Sequence, residues 1–135
     1  MKTHFAHAIL AVRDMDRARR FYVEGLGLPV NPDRDYGVCF TLDGVNLMIH
    51  EEKGFRVNTR QAGAPDEPPA TANPNLIIYL ETDDLEEAFE RVSAQGCRLI
   101  HGIENQPWNQ RVFRTCDPDG NIVEVGEKSW QEFWQ

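Results

Sequence analysis

Asp117-Pro118-Asp119-Gly120-Asn121-Ile122-Val123-Glu124 is the stretch on which the fold turns. Its Asp-Gly pair signals a tight turn, and the turn feeds an alternating segment that carries one carboxylate, Glu124, among apolar neighbours. An earlier Asp-Gly pair, Asp43-Gly44, stands between strand-like segments at 36–42 and 45–51 and is its counterpart. Working outward from these two turns, the chain divides into two similar halves.

In the first half, the segment 4–12 alternates, with Phe5, His7, Ile9 and Ala11 on one face and Ala6, Ala8, Leu10 and Val12 on the other. Both faces are mostly apolar, so this strand is expected to be covered on both sides. Asp14 or Asp16 caps the next helix, whose apolar stripe is Met15, Ala18, Phe21, Tyr22 and Leu26, and Gly25 and Gly27 stop it. Strands are expected at 28–31, 36–42 and 45–51. In the second half a strand at 75–81 is followed by a helix capped at Asp83 or Asp84, with Leu85, Ala88, Phe89 and Val92 inward. Gln95-Gly96 ends it, and strands follow at 97–101, 110–116 and 121–126. Each half therefore reads strand, helix, three strands, an α+β arrangement of two βαβββ modules.

The expected boundaries are module 1–52, linker 53–74, module 75–127 and tail 128–135. The linker is rich in proline and glycine and has no periodicity; it is expected to join the halves and partly cover a cleft between them. In the tail, Trp130, Phe133 and Trp134 share a helical face and require a surface to cover: a sheet edge, the cleft mouth or a dimer partner. Half-chains of this size bury too little surface to stand alone, so one domain built from two packed halves is expected.

Composition narrows the function classes. The 135 residues carry 41% hydrophobic and 27% charged side chains, within the ordinary globular range, and no apolar run approaches the roughly 18 residues of a membrane span. The N-terminal sequence becomes strand-like at once, without an apolar leader, so a cytoplasmic location is expected. A formal charge of −8 without a basic run argues against nucleic acid as a partner and favours neutral or cationic ligands at long range. Cys39, Cys97 and Cys116 have neither zinc-finger nor CxxC spacing and read as reduced structural thiols.

With these segments in place, the chain resembles the vicinal oxygen chelate superfamily, which includes glyoxalase I, fosfomycin-resistance thiol transferases, extradiol dioxygenases and bleomycin-resistance proteins. The resemblance runs nearly end to end. It is carried by His7-Ala8-Ile9-Leu10-Ala11-Val12-Arg13-Asp14, by Phe21-Tyr22-Val23-Glu24-Gly25-Leu26-Gly27-Leu28, and by the stretch ending in Glu124. It implies that each module bends its sheet into a trough and that a divalent metal sits where inward residues of the two modules meet. His7 matches the first-strand ligand position of the family and Glu124 the last-strand position. An imidazole nitrogen and a carboxylate oxygen suit zinc, nickel, manganese or iron, with coordination left open for vicinal substrate oxygens. Glu124 then doubles as candidate catalytic base beside a Lewis-acidic metal.

The internal repeat tests how complete that site is. It sets Met48 opposite Glu124, and a thioether is a poor ligand for such ions. It sets Asn75 or Ile77 opposite His7, so the second histidine of many relatives is absent and extradiol dioxygenase chemistry is not expected. His50 shares a strand face with Met48 and is the candidate third ligand; its other reading is a solvated histidine beside Glu51 and Glu52. Candidate substrate-binding residues are Trp108 at the cleft entrance, Arg111 as a carboxylate clamp or simply a salt-bridge partner, Tyr79 as a hydrogen-bonding or core aromatic, Phe113 as an apolar wall, and Asn75. Two functions are expected from these residues. One is a glyoxalase-like, metal-dependent lyase or isomerase acting on a small carbonyl- or vicinal-oxygen-bearing substrate and, as the resemblance implies, a homodimer. The other is a metal-free protein of the bleomycin-resistance type that sequesters a cationic or aromatic small molecule.

Overall fold

The computed structural model describes residues 1–3, 5–32, 37–51 and 76–128. The expected linker, Asn75 and the aromatic tail residues lie outside them. In chain order the elements are β1 (His7–Val12), α1 (Met15–Arg19) continuing as a π-helical turn (Arg20–Gly25), β2 (Val38–Leu42) and β3 (Val45–Glu51). They are followed by β4 (Ile77–Thr82), α2 (Leu85–Ala94), β5 (Arg98–Asn105), β6 (Arg111–Cys116) and β7 (Ile122–Glu127).

The two modules follow one wiring plan. In the first, β3 lies between β1 and β2, parallel to β1 and antiparallel to β2; in the second, the order is β4-β7-β6-β5, with β7 parallel to β4. The strand expected at 28–31 is reduced to a single bridge between Val30 and Phe40. Pro29 and Pro32 flank Val30 and have no N–H to give a ladder, which explains the loss. Its counterpart β5 has no proline and pairs along β6 from Arg98 to Asn105, with register breaks around His101. At the first hairpin Asp43 and Gly44 both take positive φ, 47° and 80°, as a two-residue turn of this hand requires.

An aspartate cap opens each helix. The Asp14 carboxylate accepts from the N–H groups of Asp16 and Arg17, and the Asp84 carboxylate accepts from the N–H of Glu87 at 3.0 Å. One core runs through both halves. Leu10, Val12, Phe40, Leu47 and Ile49 join Ala18, Phe21 and Tyr22, and continue into Leu85, Val92, Phe113, Val123 and Val125. Phe89 meets Phe113 edge-on at 5.4 Å. The helix widens after Arg19, where Leu26 N–H donates to Phe21 O five residues back at 2.9 Å, and this wider turn carries the buried Phe21 and Tyr22.

The Asp-Pro-Asp-Gly turn proves to be a structural knot. The Asp117 carboxylate, 3% exposed, accepts from Asp119 N at 2.9 Å, Asn121 N at 2.8 Å, Asn121 Nδ2 at 2.9 Å and the Tyr22 hydroxyl at 2.6 Å. Tyr22 belongs to the Phe-Tyr motif of the first module, so the two sequence motifs that mark the family touch each other across 95 residues. Arg13 N–H adds a second tie between the modules, donating to Asp119 Oδ1 at 3.0 Å.

Candidate functional site

Strand alternation sends Leu10, Leu47, Ile49, Phe113, Val123 and Val125 to the helices and the residues between them to the opposite faces of the sheets. On the second sheet this opposite face carries one row across all four strands: Tyr79 on β4, Glu124 on β7, Arg114 on β6 and His101 on β5 are register partners in turn. Within the row, Arg114 Nε donates to Glu124 Oε1 at 2.8 Å, and the Glu124 side chain is 10% exposed. The carboxylate expected to ligate a metal is thus held by a guanidinium from the next strand. His101 Nδ1 lies 2.7 Å from Gly102 O and 3.7 Å from Glu104 Oε2.

Beside this row a second polar chain forms around Gln110, which is 1% exposed. Trp108 Nε1 donates to Gln110 Oε1 at 2.7 Å, and Gln110 Nε2 donates to the Tyr79 hydroxyl and, at 2.8 Å, to Glu127 O. Gly126 makes room for it: a Cβ there would stand 2.6 Å from both Gln110 Nε2 and Tyr79 Oη. Burial raises the Tyr79 pKa, and the hydrogen bond from Gln110 opposes that rise. Trp108 and Tyr79, expected separately at the site, are therefore joined through a glutamine that sequence reading had passed over.

Arg111 is engaged away from this chain. Its Nη1 donates to Glu86 Oε1 at 2.5 Å, and its Nε and Nη2 reach Glu127 Oε2 at 3.1 and 3.0 Å. Phe113 is wholly buried against Phe89 on the helix side.

On the first sheet His7 is exposed and pairs in register with Asn46, whereas His50 pairs with Ala11. His50 stands four positions beyond Asn46 along β3, roughly 13 Å at about 3.3 Å per residue. Among the described residues no three histidine, cysteine, aspartate or glutamate side chains converge to hold a metal ion, so His7, His50 and Glu124 are not gathered into one cluster. Glu124 is paired to Arg114 as well, so among the described residues these side chains are not assembled as a ready set of metal ligands.

The register also decides between the two candidate mates of His7. Leu47 and Ile49 flank Met48 in the core as Val123 and Val125 flank Glu124, so Met48 is the counterpart of Glu124. Both helix caps lie seven residues beyond a β-strand start, Asp14 after His7 and Asp84 after Ile77, so the counterpart of His7 is Ile77.

A cleft of about 880 Å³ opens between the β2–β3 hairpin and the edge of β4. Phe5, Leu28, Val45, Ile77, Tyr79 and Glu81 are among its walls, which are mostly apolar. That size and lining suit a small organic molecule.

The family model for the glyoxalase-like domain matches residues 5–129. The chain belongs to the glyoxalase-like domain family. A bleomycin resistance protein of Staphylococcus aureus (strain MRSA252) is 23% identical over 124 residues, covering 84% of this chain and 89% of that protein. A catechol-2,3-dioxygenase of Bacillus subtilis (strain 168) is 24% identical over 133 residues, 98% of this chain; the chain spans 44% of that dioxygenase. Among solved structures, a protein of unknown function from Agrobacterium tumefaciens str. C58 superposes with a TM-score of 0.78 at 35% identity, covering 95% of this chain and 96% of that one. Membership of the glyoxalase-like family thus joins the chain to relatives that bear both dioxygenase and bleomycin-resistance names. Among the described residues, no helix is long and apolar enough to cross a membrane.

Proposed function

We propose that this glyoxalase-like chain binds a small cationic or aromatic molecule without a resident metal, in the manner expected of a bleomycin-resistance-type protein. The observation that carries this reading is the 2.8 Å ion pair between Arg114 and Glu124. A carboxylate that neutralises a guanidinium on the next strand has its charge already balanced, and it gives up that partner to ligate a metal only at a cost of desolvation and rearrangement. The apolar cleft beside Tyr79 supplies the binding volume, Phe5 and Tyr79 supply aromatic faces, and the net charge of −8 favours cations at long range.

The metal-dependent lyase or isomerase reading is the competitor, supported by His7 and Glu124 at the family's ligand positions. Homodimerisation is part of either proposal. The deciding measurement is metal content of protein purified without chelator, combined with calorimetric titration of metal-free bleomycin before and after exposure to a chelator. Binding that persists unchanged in metal-free protein supports sequestration. Stoichiometric metal that disappears in both His7→Ala and Glu124→Ala would overturn it and restore the metal enzyme.

A further inference from the structure

A second cleft, of about 540 Å³, lies between α1, the start of β5 and the Asp-Pro-Asp-Gly turn, and shares no lining residue with the apolar one. Its walls include Arg13, Arg17, Arg20 and Arg98. Four of the 14 lysines and arginines of an acidic chain thus face one concavity.

The two carboxylates in the wall, Asp117 and Asp119, offset only part of this charge: four guanidinium groups against two carboxylates leave an excess of two positive charges. Asp117 is occupied by its four hydrogen-bond donors, and Asp119 Oδ1 accepts from the backbone of Arg13. Among the described residues the guanidinium groups of Arg17 and Arg98 have no ion pair or hydrogen bond, and Arg20 makes one weak bond, from Nε to Asp16 O at 3.4 Å. The other arginines of the second module behave differently: Arg111 and Arg114 are paired with carboxylates and Arg91 donates to Glu24 O. The two cysteines in the wall, Cys97 and Cys116, add no negative charge, since burial pushes both thiols up. Backbone amides in the wall are also used: Gly96 N–H donates to Ser93 O, Cys97 N–H to Val92 O and Gly120 N–H to Asp117 O. What remains to meet a ligand is a set of guanidinium forks projecting from two modules.

We infer that this cleft is a binding site for a phosphate-bearing small molecule, held by Arg17, Arg20 and Arg98. Like-charged side chains around a concave surface repel one another, and a multiply charged oxyanion converts that repulsion into attraction. A tetrahedral phosphate offers several oxygens to guanidinium groups arriving from different directions, whereas a planar carboxylate is satisfied by one fork. The site stands apart from the apolar cleft, so it does not depend on what that cleft binds. Because Arg17 and Arg20 come from the first module and Arg98 from the second, an occupied site would also tie the two modules together.

The test is calorimetric titration of the full chain with pyrophosphate, and separately with citrate, at matched ionic strength. Pyrophosphate is expected to saturate one site, to bind more tightly than citrate, and to lose about tenfold in affinity in Arg17→Gln and again in Arg98→Gln. Arg111→Gln, which alters a paired arginine elsewhere, should bind as the parent does. These arginines are exposed, and circular dichroism checks that each variant keeps the parent fold. Absence of saturable binding, equal affinity in the parent and the Arg17→Gln/Arg98→Gln double variant, or tighter binding of citrate would each overturn the assignment.

Discussion

Tyr22→Phe isolates the tie between the two modules. The parent ring is fully buried, 4.7 Å from the Phe21 ring and 6.1 Å from Phe40, so phenylalanine keeps the packing and removes one oxygen. What is lost is the 2.6 Å donation to Asp117, whose carboxylate then has three donors instead of four in a nearly inaccessible place. A hydrogen bond to a charged group contributes about 1.5–3 kcal/mol net, and about 2 kcal/mol is expected here because no cavity adds to it. For a chain of this length that corresponds to a fall of roughly 6–8 °C in Tm. Urea unfolding should show the same loss with an unchanged m value, and Tyr22→Phe combined with Asp117→Asn should lose less than the two single losses added. A single-variant loss below about 0.5 kcal/mol, outside the range for a charged hydrogen bond, would refute the reasoning.

The same pair sets an alkaline limit. Burial, and then the negative charge of Asp117 and the hydrogen bond to it, hold the Tyr22 hydroxyl well above its ordinary range. A folded-state pKa raised above the unfolded value of about 10 gives stability that is fully present below that value and is lost as pH rises through the folded one. The parent should therefore lose stability above about pH 10 more steeply than Tyr22→Phe, as denaturant titrations at stepped pH will show. Gly126→Ala should cost about 1–3 kcal/mol and weaken ligand quenching of Trp108, because the added methyl meets Gln110 and Tyr79 at 2.6 Å; an unchanged melting curve would contradict that crowding. Arg114→Met should cost about 1–3 kcal/mol, reduced by partial solvent access, and should raise rather than lower affinity for added zinc, read by calorimetry, because it frees Glu124. Asp84→Ala, which deletes the cap on α2, should cost about 1 kcal/mol in urea unfolding.

The fold was largely written in short-range signals. Asp43-Gly44 specifies a hairpin through the positive φ that those residue types tolerate, and Asp14 and Asp84 open helices because their carboxylates reach unpaired N–H groups. Alternation set Leu10 and Val12 on one face of β1, and that face is buried; the other face, expected to be covered as well, leaves His7 and Ile9 exposed in the single chain. The first-module strand at 28–31 was misjudged because its alternation was read without the missing donors of Pro29 and Pro32. The site was less legible. Tyr22 looked like one more apolar stripe residue, since its partner lies 95 positions away. His101, Arg114 and Gln110 carry no signal in the sequence, because cross-strand neighbours come from register and register is a property of the assembled sheet.

By itself the sequence determined two βαβββ modules, their turns and caps, and the positions of His7 and Glu124, because each of these follows from residues within a few places of one another. The tertiary structure decided what stands beside those positions. It put Arg114 against Glu124, joined Trp108 to Tyr79 through Gln110, left His7 and His50 at opposite ends of neighbouring strands, and turned Asp117 into the anchor of Tyr22. A carboxylate's role depends on the charge and the donors beside it, and those neighbours are set by packing across strands, where sequence distance carries no information.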